Sequence, residues 1–428
     1  MNTTYLFKNA HIIDPITKTD EVTSVLVENG FIKKIAKKIS AEKNTNVIDC
    51  SGIILAPGFC DMHVHLREPG FEHKETIETG LTSAANGGYT AVACMPNTNP
   101  PIDSSAIVQY IKTQAEKSVP VVDLFPIACG TKNREGKELA PIAELAESGA
   151  VALSDDGSPV ENADLLRRIL EYSSMYNLPF IQHCETKSLV GNGVMNEGFV
   201  STTLGMNAIP RIAETTMLQR DLQILEYVKG KYHAAHLSVK ESIEIMRQAK
   251  KKKLQATCEV TPHHFSLTDE EVKSFNTNTK MNPPLRTQDD VDALLEGLRD
   301  GTIDVIASDH APHSYDEKET EYIYAPFGIV GLETTIGLCI TNLIETKILS
   351  WKQLIEKLSI NPRIILSLPK IKIEMGEKAN FTLLDAKKEW EVNVQQFKSK
   401  SKNSPFDKWK LKGKSFGIFN NGIFVESK

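Results

Sequence analysis

Two histidines one residue apart, followed two positions later by an arginine, stand at His63-Val64-His65-Leu66-Arg67. On an extended strand, residues i and i+2 point to the same face. Two imidazoles sharing a face at a strand end can hold one metal ion. Arg67 adds a forked donor that matches a carboxylate beside that metal. The spacing speaks for a metal centre and an anionic substrate. Eleven histidines in 428 residues give such a doublet by chance roughly 0.3 times, so it needs company to carry weight.

That company stands at the ends of other apolar runs. Ser154-Asp155-Asp156-Gly157, Gln182-His183-Cys184-Glu185, His233-Ala234-Ala235-His236-Leu237-Ser238 and Ser308-Asp309-His310-Ala311-Pro312-His313 each close one. Imidazole and carboxylate donors without a thiolate cluster suit a borderline divalent ion such as zinc. Four histidines and two aspartates exceed the needs of one catalytic zinc, which suggests two ions sharing a carboxylate and a hydroxide.

Such donors need a scaffold that gathers distant strand ends. Short apolar runs around 54–62, 89–95, 120–128, 149–154, 178–184, 232–238, 254–261 and 303–308 alternate with helix-patterned segments. Several are continuously aliphatic, as strands buried on both faces of a parallel sheet are. Eight strand-then-helix units in about 310 residues predict an α/β fold, a (β/α)8 TIM barrel with its chemistry at the C-terminal strand ends. Five of the eight runs deliver a His or Asp to that rim.

The chain ends read differently. Residues 24–28 and 31–35 flank Asn29-Gly30, and residues 416–419 and 423–425 flank Asn420-Asn421-Gly422, both hairpin signals; 380–385 is strand-like. Neither end has the apolar mass for its own core, so both are expected to pair into one small β-sandwich. The expected division is 1–53 and 369–428 for the sandwich halves and 54–368 for the barrel.

The net charge of −6 provides no general attraction for nucleic acid or an anionic membrane. Seven cysteines without a Cys-x-x-Cys pair speak for a reducing compartment rather than a disulfide framework. The N-terminus lacks a signal-peptide pattern, and no apolar stretch approaches the ~20 residues of a membrane span. A cytoplasmic enzyme is expected.

The segments His63-Val64-His65-Leu66-Arg67-Glu68-Pro69-Gly70, Met95-Pro96-Asn97-Thr98, Met281-Asn282-Pro283-Pro284-Leu285-Arg286, Ala307-Ser308-Asp309-His310-Ala311-Pro312-His313 and Pro326-Phe327-Gly328 together resemble the dihydroorotases of the amidohydrolase superfamily, in their long-chain bacterial (type I) branch. The resemblance runs over essentially the whole chain. It implies two zinc ions per subunit, one on His63, His65 and Asp309, the other on His183 and His236. Many relatives bridge the ions with a carboxylated lysine at the end of the fourth strand. Residues 149–154 contain no lysine, and Asp156, before Gly157, is expected in that place, with Asp155 as a turn neighbour.

The implied reaction is the reversible cyclisation of N-carbamoyl-L-aspartate to L-dihydroorotate in pyrimidine biosynthesis. Asp309 is the implied catalytic residue, moving a proton between water and the ring nitrogen. The implied substrate contacts are His65, Arg67, Asn97, Asn282, His313, Phe327 and Gly328. Arg67, Asn97 and His313 would clamp the α-carboxylate, and Asn282 with the Phe327-Gly328 backbone would read the ring amides. By local sequence alone, Asn97 and Asn282 read first as turn residues beside proline.

His73 and His233 are expected to be structural, His263 and His264 rim residues, and His310 an orienter of Asp309. The charged residues 314–325 are read as a partial lid. Partners implied are a small-molecule substrate, a second copy in a homodimer and aspartate transcarbamoylase. Two rivals stand beside this reading: a hydantoinase or allantoinase, and a non-catalytic scaffold for aspartate transcarbamoylase. Arg67 and the missing lysine count against the first, and the complete set of six ligands against the second.

Overall fold

The computed structural model describes residues 3–428. Five strands open the chain: β1 (Thr4–Asp14), β2 (Thr19–Glu28), β3 (Phe31–Ala36), β4 (Thr45–Asp49) and β5 (Ile54–Pro57). Then come β6 (Phe59–Val64), β7 (Tyr89–Cys94), β8 (Asp123–Ala128), β9 (Ala152–Ser154) and β10 (Phe180–Gln182). A two-stranded ribbon, β11 (Met195–Asn196) and β12 (Ala208–Ile209), precedes β13 (Tyr232–Ala234), β14 (Ala256–Val260) and β15 (Val305–Ile306). The chain closes with β16 (Phe381–Glu391), β17 (Lys410–Asn420) and β18 (Ile423–Glu426).

Strands β6 to β10 and β13 to β15 run side by side in chain order, pairing in parallel. A parallel bridge between Val64 and His310 joins the first to the segment after the last, and the His65 N–H donates to the His310 carbonyl at 2.8 Å. The expected eight-unit α/β barrel is the one observed. All residues of β6 and β7 are buried, which is why these runs read as continuously apolar rather than alternating. The outer helices turn one stripe inward; Ala163–Met175 buries Leu165, Leu166, Ile169 and Leu170 at helical spacing.

The chain ends meet in a second sheet of order β18-β17-β16-β5-β1-β2-β3, with β4 paired to β1. Both expected hairpins form, β2–β3 around Asn29-Gly30 and β17–β18 around Asn421-Gly422. Strands β1 and β17 lie three places apart, which in a flat sheet means about 14 Å. The rings of Phe7 and Phe419 nevertheless meet at 5.4 Å. The sheet therefore curls over on itself around Phe7, Phe381 and Phe419, enclosing a sandwich-like core.

Two expectations about boundaries change. The run 54–62, read as one barrel strand, breaks at Gly58. Strand β5 pairs with β16, Leu55 opposite Leu383, and belongs to the terminal sheet; only β6 enters the barrel. A Cβ at Gly58 would lie 1.8 Å from Asn380 Oδ1 and 2.2 Å from Thr90 Oγ1, so the crossing between sheets leaves no room for a side chain. In addition, Val392, Val394, Phe397 and Phe406 from the C-terminal portion pack on Leu267, Met281, Leu285, Ile329 and Val330 of the barrel. That stretch lies on barrel loops rather than inside the sandwich.

Among the described residues all seven cysteines are buried and free, and no helix is long and apolar enough to cross a membrane.

Candidate active site

The barrel brings its donors to one mouth. His63 lies in β6 with His65 just beyond it, Asp156 follows β9, His183 follows β10, His236 follows β13 and Asp309 follows β15. All six are buried. Five of them form two groups with donor atoms within 4.8 Å of one another: His63, His65 and Asp156, and Asp156, His183 and His236. Asp156 is common to both. Its Oδ1 lies 3.7 Å from His63 Nε2 and 3.8 Å from both His183 Nδ1 and His236 Nε2; its Oδ2 lies 3.6 Å from His65 Nε2. Asp309 Oδ1 stands 3.1 Å from His65 Nε2 and 3.6 Å from His63 Nε2.

These separations suit a metal. Ligand atoms at ~2.1 Å from a tetrahedral ion sit about 3.4 Å from one another. His63 Nε2 and Asp156 Oδ1, both aimed into the cluster, are buried and have no hydrogen-bond partner among the described residues. Buried polar atoms left so cost about 1–3 kcal/mol each, a cost that a bound cation removes.

The electrostatics agree. Burial disfavours a proton on His63, but Glu259 and Asp309 outweigh it and push that imidazole up to about 10. Burial alone would raise the Asp309 carboxyl, yet His63 and the hydrogen bond with His65 hold it well below the usual carboxylate range. A field that favours positive charge on a buried imidazole also favours a divalent cation in its place.

Neighbouring groups aim these donors. The two Asp61 carboxylate oxygens accept the N–H groups of His63 and Ser308, each at 3.0 Å, tying the end of β6 to the end of β15. Asn97 Oδ1 accepts the Nδ1–H of His65 at 2.7 Å and leaves Nε2 facing Asp309. The Asp155 carboxylate is occupied by the Gly130 and Thr131 N–H groups at 2.9 and 3.1 Å and by the Thr131 hydroxyl, so it turns away from the cluster. Arg67, His236 and Asp309 all hold left-handed backbone conformations, with φ of 64°, 28° and 46°. Such strain, of order 1–3 kcal/mol per residue, concentrates at sites where geometry is imposed.

Beside the cluster lies an open cavity of about 360 Å³. His65, Arg67, Asn97, Asn282, His313, Phe327 and Gly328, the seven residues expected at the substrate, all line it, together with Asp156, His183, His236 and Asp309. Arg67 donates Nε–H to the Pro312 carbonyl at 3.1 Å, and its Nη2 is 3.4 Å from His313 Nε2. His313 Nε2–H donates to the Phe327 carbonyl at 2.9 Å. Asn282 Nδ2 donates to Glu185 Oε2 at 2.6 Å.

Other sequence expectations fare unevenly. His310 does not orient Asp309: its Nε2–H donates to Glu75 at 3.3 Å and its Nδ1 accepts the Gly331 N–H at 3.2 Å. Asp309 lies beyond the strand in a left-handed conformation that turns the backbone between the two residues, so chain adjacency did not produce contact. His233 is buried and paired, His73 is exposed, and His264 bridges Thr261 and the Pro283 carbonyl. The charged loop is not free throughout. Tyr315 and Tyr324 are exposed, while Lys280 Nζ donates to the Tyr322 and Ile323 carbonyls at 2.9 Å each.

Sequence reasoning missed Glu259, Glu185 and Asn403. Glu259 had a signal, an acid inside the apolar run Cys258-Glu259-Val260. Glu185 stood two residues from His183. Asn403 had none: it reaches back from the C-terminal stretch, accepting the His313 N–H at 3.1 Å and donating to the Gly328 carbonyl at 3.1 Å.

Barrel, curled terminal sheet and shared-carboxylate donor cluster together define a parallel (β/α)8 barrel protein with a candidate metal centre at one mouth. L-Hydantoinase from Arthrobacter aurescens superposes with a TM-score of 0.88 at 23% identity, over 100% of this chain and 97% of that one. Dihydropyrimidinase from Brevibacillus agri does so with 0.85 at 19% identity, over 100% and 96%. At these identities the likeness is one of fold. Sequence narrows it. Residues 52–242 match the family model described as dihydro-orotase-like. Dihydroorotase from Acetivibrio thermocellus is 48% identical over 420 residues, 98% of each chain, and dihydroorotase from Geobacter metallireducens is 49% identical over 410, 95% of this chain and 96% of the relative. The chain belongs to the dihydroorotase family.

Proposed function

We propose that the chain catalyses the reversible hydrolysis of L-dihydroorotate to N-carbamoyl-L-aspartate, a step of pyrimidine biosynthesis. The observation that carries this reading is the arginine fork of Arg67, beside His313, in the same cavity as the Asp156 donor cluster. With Nε anchored on Pro312, the outer edge of the fork is left for the substrate α-carboxylate, which it can grip with two parallel hydrogen bonds. Asn97 and His313 flank that grip, and Asn282 with the Phe327-Gly328 backbone meets the ring amides.

The donor set fits two zinc ions, one on His63, His65, Asp156 and Asp309 and the other on Asp156, His183 and His236. Bound there, they would polarise the ring carbonyl and lower the pKa of water. Asp309, held ionised against His65, receives the proton of the attacking water and delivers it to the ring nitrogen. Oxygen adds to the carbonyl carbon as the C–N bond breaks, and one carboxylate serves both proton transfers.

The hydantoinase reading draws only on the shared fold, and the scaffold reading does not call for an intact donor set. A homodimer, association with aspartate transcarbamoylase and a cytoplasmic location rest on the family resemblance. The absence of nucleic-acid and membrane partners rests on the charge balance. The test is to offer purified protein L-dihydroorotate, hydantoin and allantoin. Ring opening of L-dihydroorotate in clear preference is expected; preference for hydantoin would overturn the substrate assignment.

A further inference from the structure

One fully buried carboxylate beside the cluster has no part in the chemistry above. Glu259 sits in β14 between Cys258 and Val260 with no exposure. Its Oε1 accepts the Nδ1–H of His63 at 2.5 Å and the backbone N–H of His236 at 3.3 Å. Its Oε2 accepts the Nε2–H of His233 at 3.2 Å, and His233 Nδ1 lies 2.8 Å from the Thr257 hydroxyl. Half-buried Thr257 and the fully buried His233, Glu259 and His63 thus form a continuous chain of hydrogen bonds across three strands. It ends at His63 Nε2, one of the atoms with no partner.

An imidazole that binds a cation is neutral and carries one N–H. Committing it to Nδ1 leaves the Nε2 lone pair turned toward Asp156 and Asp309, 3.7 and 3.6 Å away. Burying a carboxylate without partners is costly, and the neighbours that offset the cost here are His63, His233 and the His236 N–H. We propose that Glu259, backed by His233, is a positioning residue that fixes the tautomer and ring orientation of His63. It thereby sets the affinity of the ion held by His63 and His65. This rests on the reading that those histidines hold a cation. Glutamine at 259 would keep the shape and one acceptor, but it would lose the charge and turn an NH2 group toward one imidazole N–H.

The test compares zinc-loaded wild type, Glu259→Gln and His233→Phe by chelator competition, counting zinc per chain and following the fold by circular dichroism. Glu259→Gln is expected to weaken one class of bound zinc about tenfold to a hundredfold, with the second class moving less and the fold retained. Wild-type affinity for both classes in Glu259→Gln would overturn the proposal. Should that variant fail to fold, His233→Phe decides: a selectively weakened class supports the proposal, and unchanged affinity overturns it. A wild type that takes up no zinc would instead sink the metal reading beneath it.

Discussion

Removing the Asp156 carboxylate takes a donor from both groups at once. Asp156→Ala is therefore expected to drop bound zinc from about two ions per chain toward none, and ring opening with it, whereas loss of His183 alone should spare the other group. Elemental analysis of freshly purified variants checks this; full zinc in Asp156→Ala would contradict it. Arg67 makes a separate prediction. Arg67→Lys keeps the charge but loses the fork, so KM for L-dihydroorotate should rise about tenfold to a hundredfold with a smaller change in kcat. Steady-state kinetics with an unchanged KM would remove Arg67 from the carboxylate grip. The six donors were legible because histidine and aspartate at the ends of apolar runs are chemically conspicuous. Glu259 and Asn403 were harder to read, because what defines them is a partner far away in the chain.

The alternation of apolar runs with helical stripes was enough to count eight barrel strands, since a strand buried on both faces has a composition of its own. Where one strand ended and another sheet began was not legible. Residues 54–62 are apolar throughout, and the break at Gly58 is imposed by Asn380 and Thr90, 322 and 32 positions away. Any side chain there must displace one of these neighbours. Gly58→Ala is expected to cost about 1–3 kcal/mol, read as a lower urea midpoint, through overpacking at the crossing between sheet and barrel. A wild-type midpoint would show that the crossing has slack. The hairpins at Asn29-Gly30 and Asn421-Gly422 were legible because their turn chemistry is local.

The whole molecule stores charge in unusual places. Burial, with Lys280 and Arg67 nearby, lowers Lys318 from its ordinary value of 10.5 to about 7, and burial lowers Lys280 to about 8. Below pH 7 Lys318 is protonated in both folded and unfolded chains and adds no pH dependence. Between about 7 and 10.5 the unfolded chain holds a proton that the folded chain has released, so this group makes stability rise with pH. The stability advantage of wild type over Lys318→Met should therefore grow between pH 6.5 and 9, by up to about 1.4 kcal/mol per pH unit. Denaturation midpoints at the two pH values check it, and a flat difference would contradict it. Lys318 Nζ donates to the Pro326 and Thr277 carbonyls at 2.7 and 3.1 Å, so the same variant reports how firmly the loop beside the substrate cavity is held. The charge pattern of 314–325 suggested a partial lid, and its anchoring from below lay outside the reach of local sequence.

The central claim is that donors from four strand ends, joined by Asp309 from a fifth, meet around cations on either side of Asp156. Anomalous diffraction at the zinc edge from crystals of the zinc-loaded protein tests it directly. Two peaks flanking the Asp156 carboxylate, one against His63 and His65 and one against His183 and His236, are the expected result. No peak there, or zinc bound only elsewhere on the molecule, would contradict it.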